Sequence, residues 1–94
     1  MSDIYNYELI PHHMMQSIKR YVENRIECGG FLNAVLCNDL KGACGMADGY
    51  NIKIIPTYAC YLVNHVPASC WGSNEAVSIW ISNKRDGVKM ENVL

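Results

Sequence analysis

The first regular pattern in the chain is an apolar stripe that follows Pro11. Apolar or long aliphatic side chains recur there every three or four residues, which is the spacing of one helix face. They are Met14, Ile18, Tyr21, Val22 and Arg25. Proline suits a first helical turn, because its missing N–H would have no partner there. The stripe predicts a helix over residues 11–26, ended by Gly29 or Gly30 in the left-handed conformation. Residues 1–10 show no such period and predict an extended arm.

A second helical period runs through GGFLNAVLCNDLKGACGMAD, residues 29–48. Asn38 and Asp39 interrupt it, because their short polar side chains favour helix ends over helix interiors. The segment 31–47 is therefore either one helix or two short helices hinged at Asn38, and we favour two. Gly42 and Gly45 weaken its second half by about 1 kcal/mol each relative to alanine.

The second half of the chain predicts two more helices. Apolar positions fit a helix over residues 52–65, with Asn51 as its cap, and Pro67 cannot continue it. After a tight connection, Ser73 is expected to cap a last helix through its side-chain oxygen. Gly87 is expected to end that helix, because glycine readily takes the left-handed conformation of a C-terminal cap.

These patterns predict one all-α domain over residues 1–94. Its parts are an extended arm at 1–10, a compact bundle of four or five short helices at 11–86, and a tail at 87–94. A chain of 94 residues buries only roughly two-thirds of its unfolded surface, so we expect a homo-oligomer.

Composition and charge narrow the classes of partner. The 8 basic and 9 acidic residues give a net charge of −1, which argues against a nucleic-acid partner. No apolar run approaches the roughly 20 residues of a membrane-spanning helix. The first residues also lack the basic and apolar regions of a signal peptide. We therefore expect no membrane partner and a cytoplasmic location.

The cysteines predict neither a cofactor nor a metal site. The sequence has no CxxC pair, which argues against a zinc ribbon or a thioredoxin-type motif. Without an export signal the thiols are expected to be free, and most of them to be core or near-core residues. They are Cys28, Cys37, Cys44, Cys60 and Cys70.

The turn that precedes the last helix is the first candidate for binding. Free N–H groups at a helix start attract anions, and Gly72 would let a ligand approach the backbone. Trp71 could stack on a planar group. The alternative is structural: Trp71 fills the core, Gly72 takes an unusual dihedral angle and Ser73 is only a cap.

Two further sets of residues combine polar groups with helical surfaces. Asn38 and Asp39 either cap helix ends or contact donor groups of a ligand or partner. Tyr58, Tyr61 and His65 form a stripe whose polar tips suit an interface or a flat ligand. The alternative for this stripe is partly buried packing against the N-terminal arm.

Several strings in the chain resemble a family of small uncharacterised phage and prophage proteins, with a pattern like GGFLxAVLxNDL…CWGS. The matching pieces are Gly30-Phe31-Leu32, Ala34-Val35-Leu36, Asn38-Asp39-Leu40 and Cys70-Trp71-Gly72-Ser73. The resemblance covers about residues 10–82. It implies a viral accessory protein that acts in the cytoplasm of a host bacterium, where such proteins often interfere with host functions, including immune signalling. It transfers no catalytic residue.

Three functions remain open at this point, and none of them is enzymatic. The sequence carries no GxGxxG, P-loop, HExxH or nucleophile-elbow motif. The leading hypothesis is a phage accessory protein that binds and inhibits a host factor, for example one that acts in antiviral defence. The second is a binder of a small nucleotide-like ligand, a sponge for a nucleotide immune signal. The weakest is a helix-turn-helix DNA-binding regulator, since Lys41 is the only basic residue in 31–47.

Overall fold

The computed structural model describes residues 6–93, and it describes side chains for residues 6–83. Within that range the chain forms five α-helices and no strand. The helices are α1 (His12–Asn24), α2 (Gly30–Leu36), α3 (Leu40–Met46), α4 (Ile55–His65) and α5 (Asn74–Val93). Turns of 3₁₀ helix cover Tyr7–Leu9, Asn51–Ile54 and Ala68–Cys70. The prediction of a compact all-α bundle is confirmed.

One apolar core joins all five helices. Its most deeply buried large side chains are Ile18, Tyr21, Leu36, Tyr58, Leu62 and Cys70. Buried tyrosines need partners for their hydroxyl groups. Tyr21 donates its hydroxyl proton to the Cys70 carbonyl oxygen at 2.6 Å, which fastens α1 to the segment before α5. Within residues 6–93, every helix is too short or too polar to cross a bilayer.

The end of α1 differs from the prediction. The helix stops at Asn24, and Arg25 rather than a glycine takes the left-handed conformation, with φ of 58°. The Arg25 guanidinium lies 3.5 Å from the centre of the Trp80 ring, in a cation–π contact. Trp80 in turn donates its indole N–H to the Tyr21 carbonyl oxygen at 2.9 Å. This contact with α5 holds a conformation that arginine alone disfavours.

Asn38 and Asp39 separate α2 from α3, as the two-helix prediction requires. Asn38 is left-handed, with φ of 62°. Its N–H donates to the Val35 carbonyl oxygen and that of Asp39 to the Ala34 carbonyl oxygen, at 3.1 and 2.9 Å. This pair of bonds is a Schellman motif, which satisfies the last carbonyl groups of a helix. Asp39 then caps α3 by accepting the Gly42 N–H at 3.0 Å.

The predicted cap of α4 is wrong. Asn51 is buried in a 3₁₀ turn, and its side chain accepts the Tyr58 hydroxyl proton at 2.7 Å instead of capping a helix. The Asp48 carboxylate accepts the N–H groups of Tyr50 and Asn51, at 3.1 and 2.7 Å, at the start of that 3₁₀ turn, and no side chain caps α4. Asn51 is therefore an internal acceptor.

Both ends of the chain also depart from the predictions. Residues 1–5 of the predicted arm lie outside the described residues, and Tyr7–Leu9 is a 3₁₀ turn rather than extended chain. The side chain of Asn6 caps that turn by accepting the Glu8 N–H at 2.9 Å. At the other end, α5 continues through Gly87 to Val93, so the predicted tail is helical. One glycine costs a helix only about 1 kcal/mol and does not stop it.

Candidate functional site

An apolar groove opens where α2, α3 and α4 meet the turn before α5. It encloses about 380 Å³, part of which is open to solvent. We call it the Trp71 groove. It is lined by Val35, Asn38, Asp39, Leu40, Ala43, Ile55, Ala59, Leu62 and Trp71. Three residues that the sequence singled out separately thus share one concave surface. Mostly apolar walls with a few polar groups are typical of ligand sites.

Gly72 fixes the position of Trp71. Its N–H donates to the carbonyl oxygen of Leu36, at the end of α2, over 2.7 Å. Gly72 has φ of +113°, a conformation that residues with a Cβ rarely adopt. Cys70, on the other side of Trp71, is fully buried. Trp71 is therefore half-buried, packed against the core on one side and lining the groove on the other.

The polar groups of the groove come from the corner between α2 and α3. Of the described residues that line the groove, only Asp39 is ionisable. One carboxylate oxygen of Asp39, Oδ1, accepts the Gly42 N–H. A carboxylate has about four acceptor positions, so Asp39 can accept further hydrogen bonds. The neighbouring Asn38 amide can both donate and accept. The corner therefore suits a ligand edge that carries N–H or O–H groups.

At the start of α5, the N–H groups of Gly72 and Ala76 are both engaged within the protein. Ser73 accepts the Ala76 N–H with its hydroxyl oxygen at 3.0 Å, which confirms its role as a cap. The Gly72 N–H is bonded to Leu36. Neither residue lines the Trp71 groove. Gly72 and Ser73 thus position the site, and their own polar groups are engaged within the protein.

A second hollow lies on the other side of the Asn38–Asp39 corner. It encloses about 830 Å³ and is wide open to solvent. We call it the asparagine hollow, because three asparagines line it. Its walls are formed by Gly30, Asn33, Ala34, Cys37, Asn38, Asp39, Met46 and Asn74. The corner residues therefore belong to both concave surfaces.

The predicted aromatic stripe on α4 is divided between the core and the N-terminal segment. Tyr58 is 0% exposed and packs edge-on against Phe31, so its place on an accessible surface was wrongly predicted. Tyr61 and His65 both contact the ring of Tyr7, with centroids 5.3 and 5.2 Å away. These two residues thus follow the alternative of packing against the N-terminal segment.

The thiols of Cys28, Cys37 and Cys70 are protected by burial rather than activated. Burial raises the pKa of the Cys28 thiol to about 11, with a smaller opposing effect of Arg20. Burial also raises the pKa of Cys37 and of Cys70. A protonated thiol is a poor nucleophile and a poor metal ligand. Among the described residues, no three His, Cys, Asp or Glu side chains lie close enough together to hold a metal ion.

Comparison with known proteins adds no relative: no protein-family model, curated protein or solved structure matches this chain. The candidate site therefore depends on its geometry.

The sequence singled out three residues that line the groove, Trp71, Asn38 and Asp39. It did not single out the apolar residues that line the rest of it. Val35, Leu40 and Ala43 share the helical period of the core, so nothing in their spacing marks them as groove residues. A local signal existed for Leu40, an apolar residue beside a capping aspartate, which the structure leaves 66% exposed. Asn33 and Asn74 carried no signal, because they are far apart in sequence and only the fold brings them to the same hollow.

Proposed function

We propose that this protein is a non-enzymatic binding protein that captures a small planar ligand, of the nucleotide-like class, in the Trp71 groove. The observation that carries the proposal is the convergence of Trp71, Asn38 and Asp39 on one apolar groove. The Asn38–Asp39 pair and Trp71 belong to separate parts of the sequence, and a role in the core or as caps alone does not require them to share a concavity.

The chemistry of the groove favours a flat ring. An aromatic side chain and apolar walls stabilise the faces of a nucleobase by stacking and by exclusion of water. The rim of Asn38 and Asp39 matches the N–H donors at the base edge. Because the only ionisable group in the lining is a carboxylate, phosphate groups are expected to lie outside the groove.

The biological setting of the proposal comes from the resemblance to phage and prophage proteins. A phage protein that binds a nucleotide without converting it would lower the free concentration of that nucleotide in the host cytoplasm. If the nucleotide is a signal of antiviral defence, the protein acts as a sponge for it. The proposal requires tight binding and no turnover.

A host protein is the second candidate target. It is favoured by apolar surface that continues beyond the groove, since Leu40 and Val63 are 66% and 67% exposed. Val63 lies one helical turn after Ala59 and hence on the same face of α4. An aromatic surface would also favour this function, but Tyr58 is buried, and Tyr61 and His65 contact Tyr7. We therefore rank this function second.

DNA binding is the weakest candidate. A recognition helix enters the major groove and needs basic flanks to contact phosphates. The corresponding helix here, α3, has seven residues and one basic side chain, Lys41. That the protein has no nucleic-acid partner stays a prediction. That it forms a homo-oligomer stays a prediction too.

Calorimetric titration with AMP, GMP, CMP and UMP tests the proposed function. We expect at least one of them to bind the wild-type protein, and Leu40→Glu to abolish that binding by placing a charge in the groove. Val63→Glu is the matched control, because Val63 is equally exposed but does not line the groove. Failure of all four nucleotides would contradict the proposal. A protein partner that both variants release would support the second candidate.

A further inference from the structure

The Asn38–Asp39 corner is a shared wall between two hollows of different chemistry. On one side, the Trp71 groove is bounded by apolar side chains and an indole ring. On the other, the asparagine hollow carries the amides of Asn33 and Asn74 as well as that of Asn38. A ligand seated in the groove therefore meets a polar surface as soon as it extends over the corner.

The polar groups of the asparagine hollow suit hydroxyl groups rather than charged ones. Each asparagine amide offers both donors and an acceptor, as a hydroxyl group does. Among the described residues that line it, Asp39 is the only carboxylic acid, and none is Lys, Arg or His. An anion would find no cation there, and a carboxylate accepts hydrogen bonds from hydroxyl groups readily.

Asp39 has acceptor capacity to spare for such a contact. Its Oδ1 accepts the Gly42 N–H, whereas Oδ2 has no hydrogen-bond partner among the described residues. Asp39 lines both concave surfaces. Its carboxylate can therefore accept a hydrogen bond from a hydroxyl group of a ligand whose ring lies in the groove.

We infer that the ligand has two parts, a planar ring held in the Trp71 groove and a hydroxyl-bearing sugar that crosses Asp39 into the asparagine hollow. This inference rests on the proposed function and narrows it to the nucleoside class. The ring supplies stacking and apolar contact. The sugar supplies the hydrogen bonds to Asp39 and the asparagines, so it adds affinity that a free base lacks.

Amide chemical shifts in a ¹⁵N-labelled protein test the inference. The probes are the four ribonucleosides and, for each, the base with a methyl group in place of the sugar. We expect at least one nucleoside to bind about tenfold or more tightly than its methylated base, because hydrogen bonds to a charged group contribute about 1.5–3 kcal/mol. We expect the nucleoside to shift the amides of Ala43 and Asn33, and the base only that of Ala43.

Asp39→Asn isolates the contribution of the carboxylate. Asparagine is as good a helix cap as aspartate, so the variant keeps the Gly42 contact, removes the charge and replaces one acceptor oxygen with an NH2 donor. We expect it to lose most of the preference for the nucleoside over the methylated base. Asn33→Ala is also expected to reduce the preference for the nucleoside over the methylated base, because Asn33 lines the asparagine hollow.

The possible failures separate the inference from the proposed function. Equal binding of nucleoside and methylated base, with shifts confined to the groove, would overturn the two-part ligand and leave the groove as a ring site. A nucleoside preference that Asp39→Asn leaves intact would overturn the role of the carboxylate and with it the inference. Absence of binding by every probe at millimolar concentration would overturn both.

Discussion

The amide nitrogen of Gly72 lies 2.7 Å from the carbonyl oxygen of Leu36 and donates a hydrogen bond to it. This bond joins the end of α2 to the turn before α5. Because Trp71 directly precedes Gly72, and Asn38 follows Leu36 by two positions, the bond brings the indole ring opposite the polar corner. One backbone contact between distant segments thus assembles the Trp71 groove.

Gly72→Ala is expected to destabilise the protein and to weaken ligand binding. A Cβ at position 72 would meet no atom within 4 Å, so the cost comes from φ of +113° alone. Such backbone strain costs about 1–3 kcal/mol in a residue other than glycine. Gly49→Ala is the control. A Cβ at position 49 would also meet no atom within 4 Å, but Gly49, unlike Gly72, does not have a positive φ. If urea unfolding gives the same stability for both variants, the cost cannot be assigned to backbone strain at position 72.

Two glycines of α3 are expected to respond to alanine in opposite directions. Gly45 has open space around it, so Gly45→Ala should stabilise the helix by about 0.5–1 kcal/mol. At Gly42 a Cβ would collide with the Asp39 carboxylate, which would have to leave its capping position. Loss of a cap costs about 0.5–2 kcal/mol, which offsets or exceeds the gain in helix propensity. Thermal unfolding measures both, and a stabilised Gly42→Ala variant would contradict the role of Asp39 as cap.

Tyr58→Phe is expected to destabilise the protein by about 1–3 kcal/mol. The substitution leaves the buried Asn51 side chain without the hydroxyl donor at 2.7 Å, and an unsatisfied buried polar group costs this amount. Tyr61→Phe is the matched control, because Tyr61 is half-buried and contacts Tyr7 and His65 through its ring. Chemical unfolding should place Tyr61→Phe within about 0.5 kcal/mol of the wild type. Equal losses of stability in the two variants would show that the hydrogen bond from Tyr58 to Asn51 adds no stabilisation of its own.

Stability is expected to fall at alkaline pH. Burial raises the pKa of Cys28 from its ordinary value of 9.0 to about 11 in the folded protein. Between these values the unfolded chain has lost the proton that the folded chain still holds, so unfolding becomes easier as pH rises. The contribution is fully present below about pH 9 and is lost as pH approaches 11. Burial also raises the pKa of Tyr21 and of Tyr58, which adds to the same trend at higher pH.

Cys28→Ala should make the fall with pH shallower between pH 9 and 11. The comparison uses the slope of unfolding free energy against pH, because the variant also loses packing at every pH. Cys44→Ala is the control, since Cys44 is exposed. A slope that Cys28→Ala leaves unchanged would show that this thiol is not protected by burial.

Local capping chemistry was predictable from the sequence, whereas contacts between distant segments were not. The break at Asn38 and Asp39 and the cap at Ser73 follow from side chains acting on their own neighbours in the chain. The end of α1 could not be predicted, because Arg25 is held by Trp80 from another helix. Asn51 was misassigned for the same reason, since its partner Tyr58 lies in the core.

The candidate site was predictable in its polar and aromatic residues but not in its shape. Unusual residues in a helical pattern drew attention to Trp71 and to the Asn38–Asp39 pair. Their meeting depends on the Gly72–Leu36 hydrogen bond, which no spacing in the sequence reveals. The stripe of Tyr58, Tyr61 and His65 illustrates the converse, because a helical period does not say which face the rest of the chain covers.

The most direct test is mass spectrometry of the small molecules released when the protein is denatured after incubation with a bacterial metabolite extract. The account predicts that wild-type protein and Val63→Glu release the same nucleobase-containing compound in proportion to the protein. It predicts that folded Leu40→Glu releases none. The account is contradicted if Leu40→Glu releases the same amount of such a compound as the wild type. It is also contradicted if none of the three proteins releases one.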